Sequence, residues 1–361
     1  MKNPFRPTAG ATPPELIGRE GLLDEFVYGL HLGSGAPGLL TIFTGVRGVG
    51  KTVMLGAAED AALEAGWAVI SETATPGFVA RIGEHMRRLT QELGEGRAAR
   101  RVTALSVAGF GITTQLAPEE QVQWRDQAIA LLALLAEKGT GLILTVDEIH
   151  AANRSELALL AADVQHLIRE SLPIGLVFAG LPSAVSDLLN EGVATFLRRA
   201  DRIDLHAAAL DDVERSLRDT LAEGGWTLGP EQAARAAEAT GGYPFLIQLV
   251  GYYLWKEAEV GPLGDEAVQR AVAAARRRHD RTVIEAALAS VSPRDREFLE
   301  AMAEDPEGIS TSGDIGQRIG MRASAVGNYR TRLIDAGLIE AAGHGKLRFA
   351  IPGMAEYFRG D

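Results

Sequence analysis

The sequence predicts an α/β fold in which a parallel sheet is covered on both faces by helices. An all-helical domain and a small module of helices and a β-hairpin follow it. Three observations carry this expectation. Short apolar, β-branched runs alternate with helical stretches up to about residue 206, the pattern of parallel strands joined by helical crossovers. One such run ends in a glycine-rich turn that opens a helix. Beyond residue 207 the strand signal vanishes and returns only near residue 338.

The chain has 361 residues, 46% hydrophobic and 23% charged, which suits about two to three folded domains and excludes a disordered chain. Its 36 basic and 48 acidic residues leave a net charge of −12. That excludes a whole-surface polyanion binder but leaves room for a local basic face. With no cysteine, a disulfide framework, a thiolate metal site and a cysteine nucleophile are excluded. The longest strongly apolar run, Ala128–Ala136, is far short of the ~20 residues a membrane helix needs. Met1–Pro14 is rich in Pro, Thr and Ala and has no apolar segment of the kind a signal peptide carries. A cytoplasmic protein with no membrane partner is expected.

In chain order, Leu39–Thr44 reads as a strand buried on both faces, Met54–Ala65 as a helix, Trp67–Ser71 as a strand and Gly77–Leu93 as a helix. Val102–Leu116 reads as β or irregular. A helix over Glu119–Lys138 is opened by Pro118. Leu142–Val146 is a third buried strand ending in Asp147-Glu148, and Ser155 is expected to cap a helix running to Ser171. Ile174–Ala179 and Arg202–Leu205 supply the fourth and fifth strands. Asp211–Glu223, Pro230–Thr240, Pro244–Val260 and Asp265–Ala289 are helical, with Arg276-Arg277-Arg278-His279-Asp280-Arg281 near the end of the last. Helices over Arg294–Ala303, Ser312–Ile319 and Ser324–Ala336, then strands over Leu338–Ala341 and Leu347–Ile351, fit a winged helix-turn-helix. The expected divisions are an extended segment 1–14, a core 15–206, a helical lid 207–289 and the winged helix 290–361.

Gly45-Val46-Arg47-Gly48-Val49-Gly50-Lys51-Thr52, followed by Val53, matches G-x-x-x-x-G-K-[ST], the phosphate-binding loop. Glycines let successive backbone N–H groups turn onto phosphate oxygens, and the following helix adds its positive end. Lys51 would reach the β- and γ-phosphates of ATP, and the Thr52 hydroxyl would ligate Mg²⁺. The motif's place between a strand and a helix separates it from a chance match among 41 glycines. Asp147, ending another buried strand, is placed to hold the Mg²⁺ shell, and Glu148 to polarise the attacking water. His150 reads as a loop or packing residue.

The order of strand, phosphate loop, inserted strand and Asp-Glu resembles the additional-strand, catalytic-glutamate division of P-loop NTPases. Ile17-Gly18-Arg19-Glu20 resembles the box that precedes the first strand of AAA+ ATPases and lines their adenine pocket. Gly241-Gly242-Tyr243-Pro244 resembles the G-x-P element of their STAND branch. That resemblance implies a base contact by Pro244, with Tyr243 beside it, and ATP or ADP with Mg²⁺ at the site. It spans residues 15–361. It is similar to prokaryotic AAA+/STAND-type ATPases and, more distantly, to origin-recognition ATPases. It also implies a homo-oligomer on ATP binding, with Arg198 and Arg199 where such proteins keep a trans-acting arginine finger. A solvated basic pair at a helix end is the alternative. The fourth strand ends Phe178-Ala179-Gly180-Leu181-Pro182 without the family's polar sensor, Ser183 being nearest, and the usual lid arginine is not evident. Slow or partner-stimulated turnover is therefore expected.

In the C-terminal module, residues 316–350 carry six basic residues against two acidic ones, a local charge reversal suited to DNA phosphate. Ser324, Asn328 and Arg332 are expected to face base edges of double-stranded DNA, with Arg330 on the same helix and Lys346 and Arg348 on the wing meeting phosphate. Val326, Leu333 and Tyr329 are expected to be partly buried. The reading is a nucleotide-dependent ATPase switch that binds DNA through the winged helix. The alternative is a signalling or defence switch whose winged helix docks a protein or autoinhibits. A metabolic kinase is disfavoured, because no small-substrate signature accompanies the loop.

Overall fold

The computed structural model describes residues 2–8, 13, 15–94, 118–190, 195–305, 308–343 and 345–360. The expected β or irregular stretch Val102–Leu116 lies outside the described residues. The chain forms two compact units, one of Gly21–Gly45 with Lys51–Leu205 and one of Met1–Glu20, Val46–Gly50 and His206–Asp361.

The sheet unit runs α1 (Asp24–Leu32), β1 (Leu40–Thr44), α2 (Lys51–Glu64), β2 (Ala68–Thr73), α3 (Phe78–Gly94), α4 (Pro118–Glu137), β3 (Leu142–Asp147), α5 (Arg154–Arg169), β4 (Ile174–Gly180), α6 (Pro182–Asn190) and β5 (Asp201–Asp204). All five strands are parallel, in the order β2-β3-β4-β1-β5. β4 is thus inserted between the loop-bearing β1 and the Asp147-bearing β3. β4 is buried along its whole length and β3 along all but its last residue, as continuous apolar runs require when helices cover both faces. β5, at the edge, alternates between half-buried and exposed. Ile42, Phe78, Met86, Leu144, Leu160 and Phe178 belong to one continuous core.

Two details correct the sequence reading here. The helix after the phosphate loop begins at Lys51 rather than Met54, which brings the motif's Lys-Thr into its first turn. The cap of α5 is Asn153, whose side chain accepts from the Ser155 N–H, so Ser155 lies inside the helix.

The second unit carries α7 (Leu210–Glu223), α8 (Pro230–Thr240), α9 (Pro244–Ala258), α10 (Asp265–His279) and α11 (Glu285–Leu288). A π-helical turn, 280–284, joins the last two. Leu217, Leu249, Val250, Trp255 and Val268 form its core. Of the N-terminal segment, residues 2–8 pack against that core. Phe5 is buried there, and a Cβ on Gly251 of α9 would come within 2.2 Å of its ring. Asn3 Nδ2 donates to the Tyr252 carbonyl at 3.2 Å.

The same unit ends in α12 (Pro293–Ala303), β6 (Ile309–Thr311), α13 (Ser312–Arg318), α14 (Ala323–Asp335), β7 (Ile339–Ala341), β8 (Lys346–Phe349) and α15 (Met354–Arg359). The strands form an antiparallel sheet of order β6-β8-β7. Phe298, Met302, Ile315, Val326, Leu333 and Leu347 pack around it. Among the described residues no helix is long and apolar enough to cross a membrane.

Candidate nucleotide site

The phosphate loop takes its shape from glycine. Gly45, Gly48 and Gly50 have φ of 153°, 77° and 97°, backbone angles that side-chain-bearing residues rarely adopt. Lys51, only 8% exposed, donates from Nζ to the Gly45 carbonyl at 2.9 Å. Arg47 and Thr52 are exposed, Val46 and Val53 half-buried, and Val49 buried.

Thr52 and Asp147 are 95 residues apart in sequence, and the structure brings them together. The Thr52 hydroxyl donates to Asp147 Oδ2 at 2.6 Å. Asp147 Oδ1 accepts the Glu148 N–H at 2.7 Å, which fixes the carboxylate plane. A hydroxyl and a carboxylate side by side are the hard oxygen donors that suit Mg²⁺. Glu148 lies in the left-handed region, φ 56° and ψ 40°, a costly conformation for a non-glycine residue and one that clusters at functional sites. Its side chain is 45% exposed, and His150 Nε2 lies 3.0 Å from Oε2. The sequence reads His150 as a loop or packing residue; it lies in the turn after β3 with its ring against the Glu148 carboxylate. No periodicity marks such a partner.

In the other unit, Arg19 donates from Nη2 to the carbonyls of Val49, at 3.0 Å, and His206, at 2.6 Å. Burial lowers the pKa of its guanidinium, against the opposing charge of Glu20. Arg19 therefore braces the loop backbone. Ile17 packs on the helical core. Gly18 has φ 66°, and a Cβ there would lie 3.2 Å from Ala208 Cβ. Ala208 also bounds the second glycine turn, where a Cβ on Gly242 would fall 2.1 Å from its carbonyl oxygen. Sequence reading missed Ala208 because its part is only to leave space. Pro244, first residue of α9, faces the loop: a Gly50 Cβ would meet its Cγ at 3.5 Å. Tyr243 is half-buried; burial, with the charge of Glu340, raises its phenol pKa.

At the end of β4, Gly180 admits no side chain, because a Cβ would fall 2.3 Å from Ile149 Cγ1. A polar sensor is sterically barred there, and Ser183 lies one residue inside α6. Arg198 donates from Nε to the Leu189 carbonyl at 2.8 Å, and Arg199 is exposed.

The C-terminal candidates divide. Ser324 and Asn328 on α14 and Lys346 on β8 are exposed. Arg332, expected to face base edges, is exposed, pairs with Asp295 of α12 through Nε and Nη2 and lies 4.5 Å over the Tyr329 ring. Arg348 is ion-paired with Glu340, its cross-strand neighbour. Arg318 is paired with Asp305. Arg330 is half-buried, and its Nε is buried without a hydrogen-bond partner. Short-range pairing with carboxylates on neighbouring elements thus neutralises much of the charge reversal counted along the sequence.

Residues 15–178 match the family model described as AAA ATPase domain. Residues 281–358 match a family described as a domain of unknown function (DUF8462). No curated protein sequence matches the chain. Among solved structures, the Walker-type ATPase PABY2304 of Pyrococcus abyssi is similar at 16% identity, covering 95% of this chain and 96% of its own, with a TM-score of 0.67. The ORC2 protein of Aeropyrum pernix, solved as ADPNP–ADP complexes, is similar at 18% identity over 98% of this chain and 96% of its own, with a TM-score of 0.60. At such identities the likeness is one of fold.

Proposed function

We propose that the chain is an ATP-hydrolysing switch that binds double-stranded DNA through its C-terminal module. The observation that carries the ATPase half is the Thr52–Asp147 contact, with Glu148 held in a strained turn beside it. In this reading the loop amides of residues 46–50 bind the phosphates. Lys51 exchanges its neutral carbonyl acceptor for charged γ-phosphate oxygen, a stronger bond. Thr52 and Asp147 hold Mg²⁺, which when bound supplies charge neutralisation across the β- and γ-phosphate oxygens. Glu148, oriented by His150, accepts a proton from the attacking water. Arg19 positions the loop through Val49, and Pro244 and Tyr243 contact the base. Arg198 and Arg199 are carried as finger candidates, with Arg199 favoured because the Nε of Arg198 is engaged.

The domains follow the same reading: α7–α11 as a lid, and α12–α14 with β6–β8 as a winged helix. Ser324 and Asn328 on α14 would meet base edges, with Arg330 and Lys346 near phosphate. One observation favours the second reading, a protein-docking or autoinhibitory module: Arg318, Arg332 and Arg348 each sit on a carboxylate. Steady-state ATP turnover with and without a 30-base-pair duplex, over a hundredfold range of protein concentration, separates the two. The DNA reading expects turnover to rise several-fold with duplex. Turnover indifferent to DNA, with no duplex binding at 50 mM salt, would leave the docking reading.

A further inference from the structure

Arg276, Arg277, Arg278 and Arg281 stand against a single carboxylate, Asp280, between residues 273 and 284. In a chain of net charge −12 this is a dense cationic run. Its simplest explanation would be a helix C-terminus, where the backbone dipole favours cations. The structure removes that explanation. His279, Asp280, Ile284 and Glu285 all keep right-handed helical angles, so α10, the π turn and α11 form one unbroken helical rod over 265–288. The arginines sit in its middle, where no exposed carbonyls attract them, and Asp280 and Glu285, one turn on from Arg276 and Arg281, offset only part of their charge.

The rod's inner face is occupied by Val268, Ala271, Ala275, His279 and Ile284, all buried. Arg276, Arg277 and Arg281 are exposed. Arg277 and Arg281, one turn apart, make no ion pair among the described residues, whereas the C-terminal cations Arg318, Arg332 and Arg348 are paired. The π turn 280–284, which carries Arg281, is itself a feature over-represented at functional sites.

We propose that this arginine face is a phosphate-contacting surface for duplex DNA, supplying charge that the paired arginines of the C-terminal module do not. The inference rests on the DNA-binding reading above. Three exposed guanidiniums on one helical rod suit contacts to backbone phosphates, which carry no sequence information.

The test uses the full chain and a 30-base-pair duplex, with affinity measured from 50 to 300 mM salt. The combined Arg276→Ala, Arg277→Ala, Arg281→Ala variant should bind at least tenfold more weakly at 100 mM salt. Its log–log salt slope should be shallower by about 2–3, at ~0.9 for each phosphate that the variant leaves unneutralised. ATP affinity and Tm should match wild type, and lysine at the same three positions should restore most of the slope. Wild-type binding with an unchanged slope in the alanine variant overturns this surface and leaves the DNA reading standing. No duplex binding by the wild-type chain overturns the DNA reading itself. Binding to polyglutamate that the variant loses, without duplex binding, assigns the face to an acidic protein and overturns the proposal.

Discussion

Glu148 joins backbone strain to the proposed chemistry. Its left-handed conformation costs an L-residue about 1–2 kcal/mol that glycine does not bear. Glu148→Gly should therefore raise stability by about 1 kcal/mol, or Tm by roughly 2–4 °C, while ending turnover. A lower Tm would show that the turn stores no strain. Thr52→Ala removes the hydroxyl bonded to Asp147 and should raise the Mg²⁺ needed for half-maximal turnover by about tenfold, the worth of one hydrogen bond to a charged group. An unchanged Mg²⁺ requirement would remove Thr52 from the metal site. Sequence made the loop and Asp147-Glu148 legible because each follows a buried apolar run. It did not reveal the strain at Glu148, since no glycine marks the position, nor the partnership with His150.

Among the elements, α10 carries a buried histidine. Burial pushes His279 down to about 4, although Asp280 Oδ1 lies 3.9 Å from Nδ1. The unfolded chain takes up this proton near pH 6.5, the folded chain only near 4. Stability is therefore fully present above pH 6.5 and lost as pH falls toward 4, by about 3 kcal/mol at most. His279→Leu should flatten thermal melts across that window; an unaltered pH profile would refute the assignment. The α12–α14 pair behaves differently. Burial raises the Asp295 carboxyl pKa, but hydrogen bonds from Arg332 and Ser292 outweigh this and hold it below its usual value. Arg332→Ala should cost about 1–2 kcal/mol, scaled down because Arg332 is half-exposed, and a thermal melt reads it.

Four of the five parallel strands, β1–β4, were legible because continuous apolar and β-branched runs have few other uses, whereas the edge strand β5, Asp-Arg-Ile-Asp, gave only a short signal. α1, α6, β6 and α15 were not. Each is short, from three to nine residues, and its periodicity is no longer than that of a loop. The pairing of Arg332 was not legible for a related reason: Asp295 and Arg332 are 37 residues apart, beyond any local pattern.

At the scale of the whole molecule, a trans-acting finger predicts a rate that depends on neighbours. An arginine supplied in trans is worth on the order of 10³-fold or more. Turnover per subunit should therefore rise with concentration, and Arg199→Ala should bind ATP normally yet lose that rise. A rate flat over a hundredfold dilution would remove the finger. The steric bar at Gly180 points the same way, because a core without that sensor has fewer internal groups to stabilise the transition state. Whether the chain hydrolyses ATP through Glu148 is decided by ATP binding and single-turnover hydrolysis of wild type and Glu148→Gln, measured side by side. Affinity should be equal and hydrolysis by the variant slower by about 10²–10⁴-fold, the usual worth of a general base. Equal hydrolysis by both proteins would rule out Glu148 as that base, and no hydrolysis by the wild type would contradict the ATPase reading of this site.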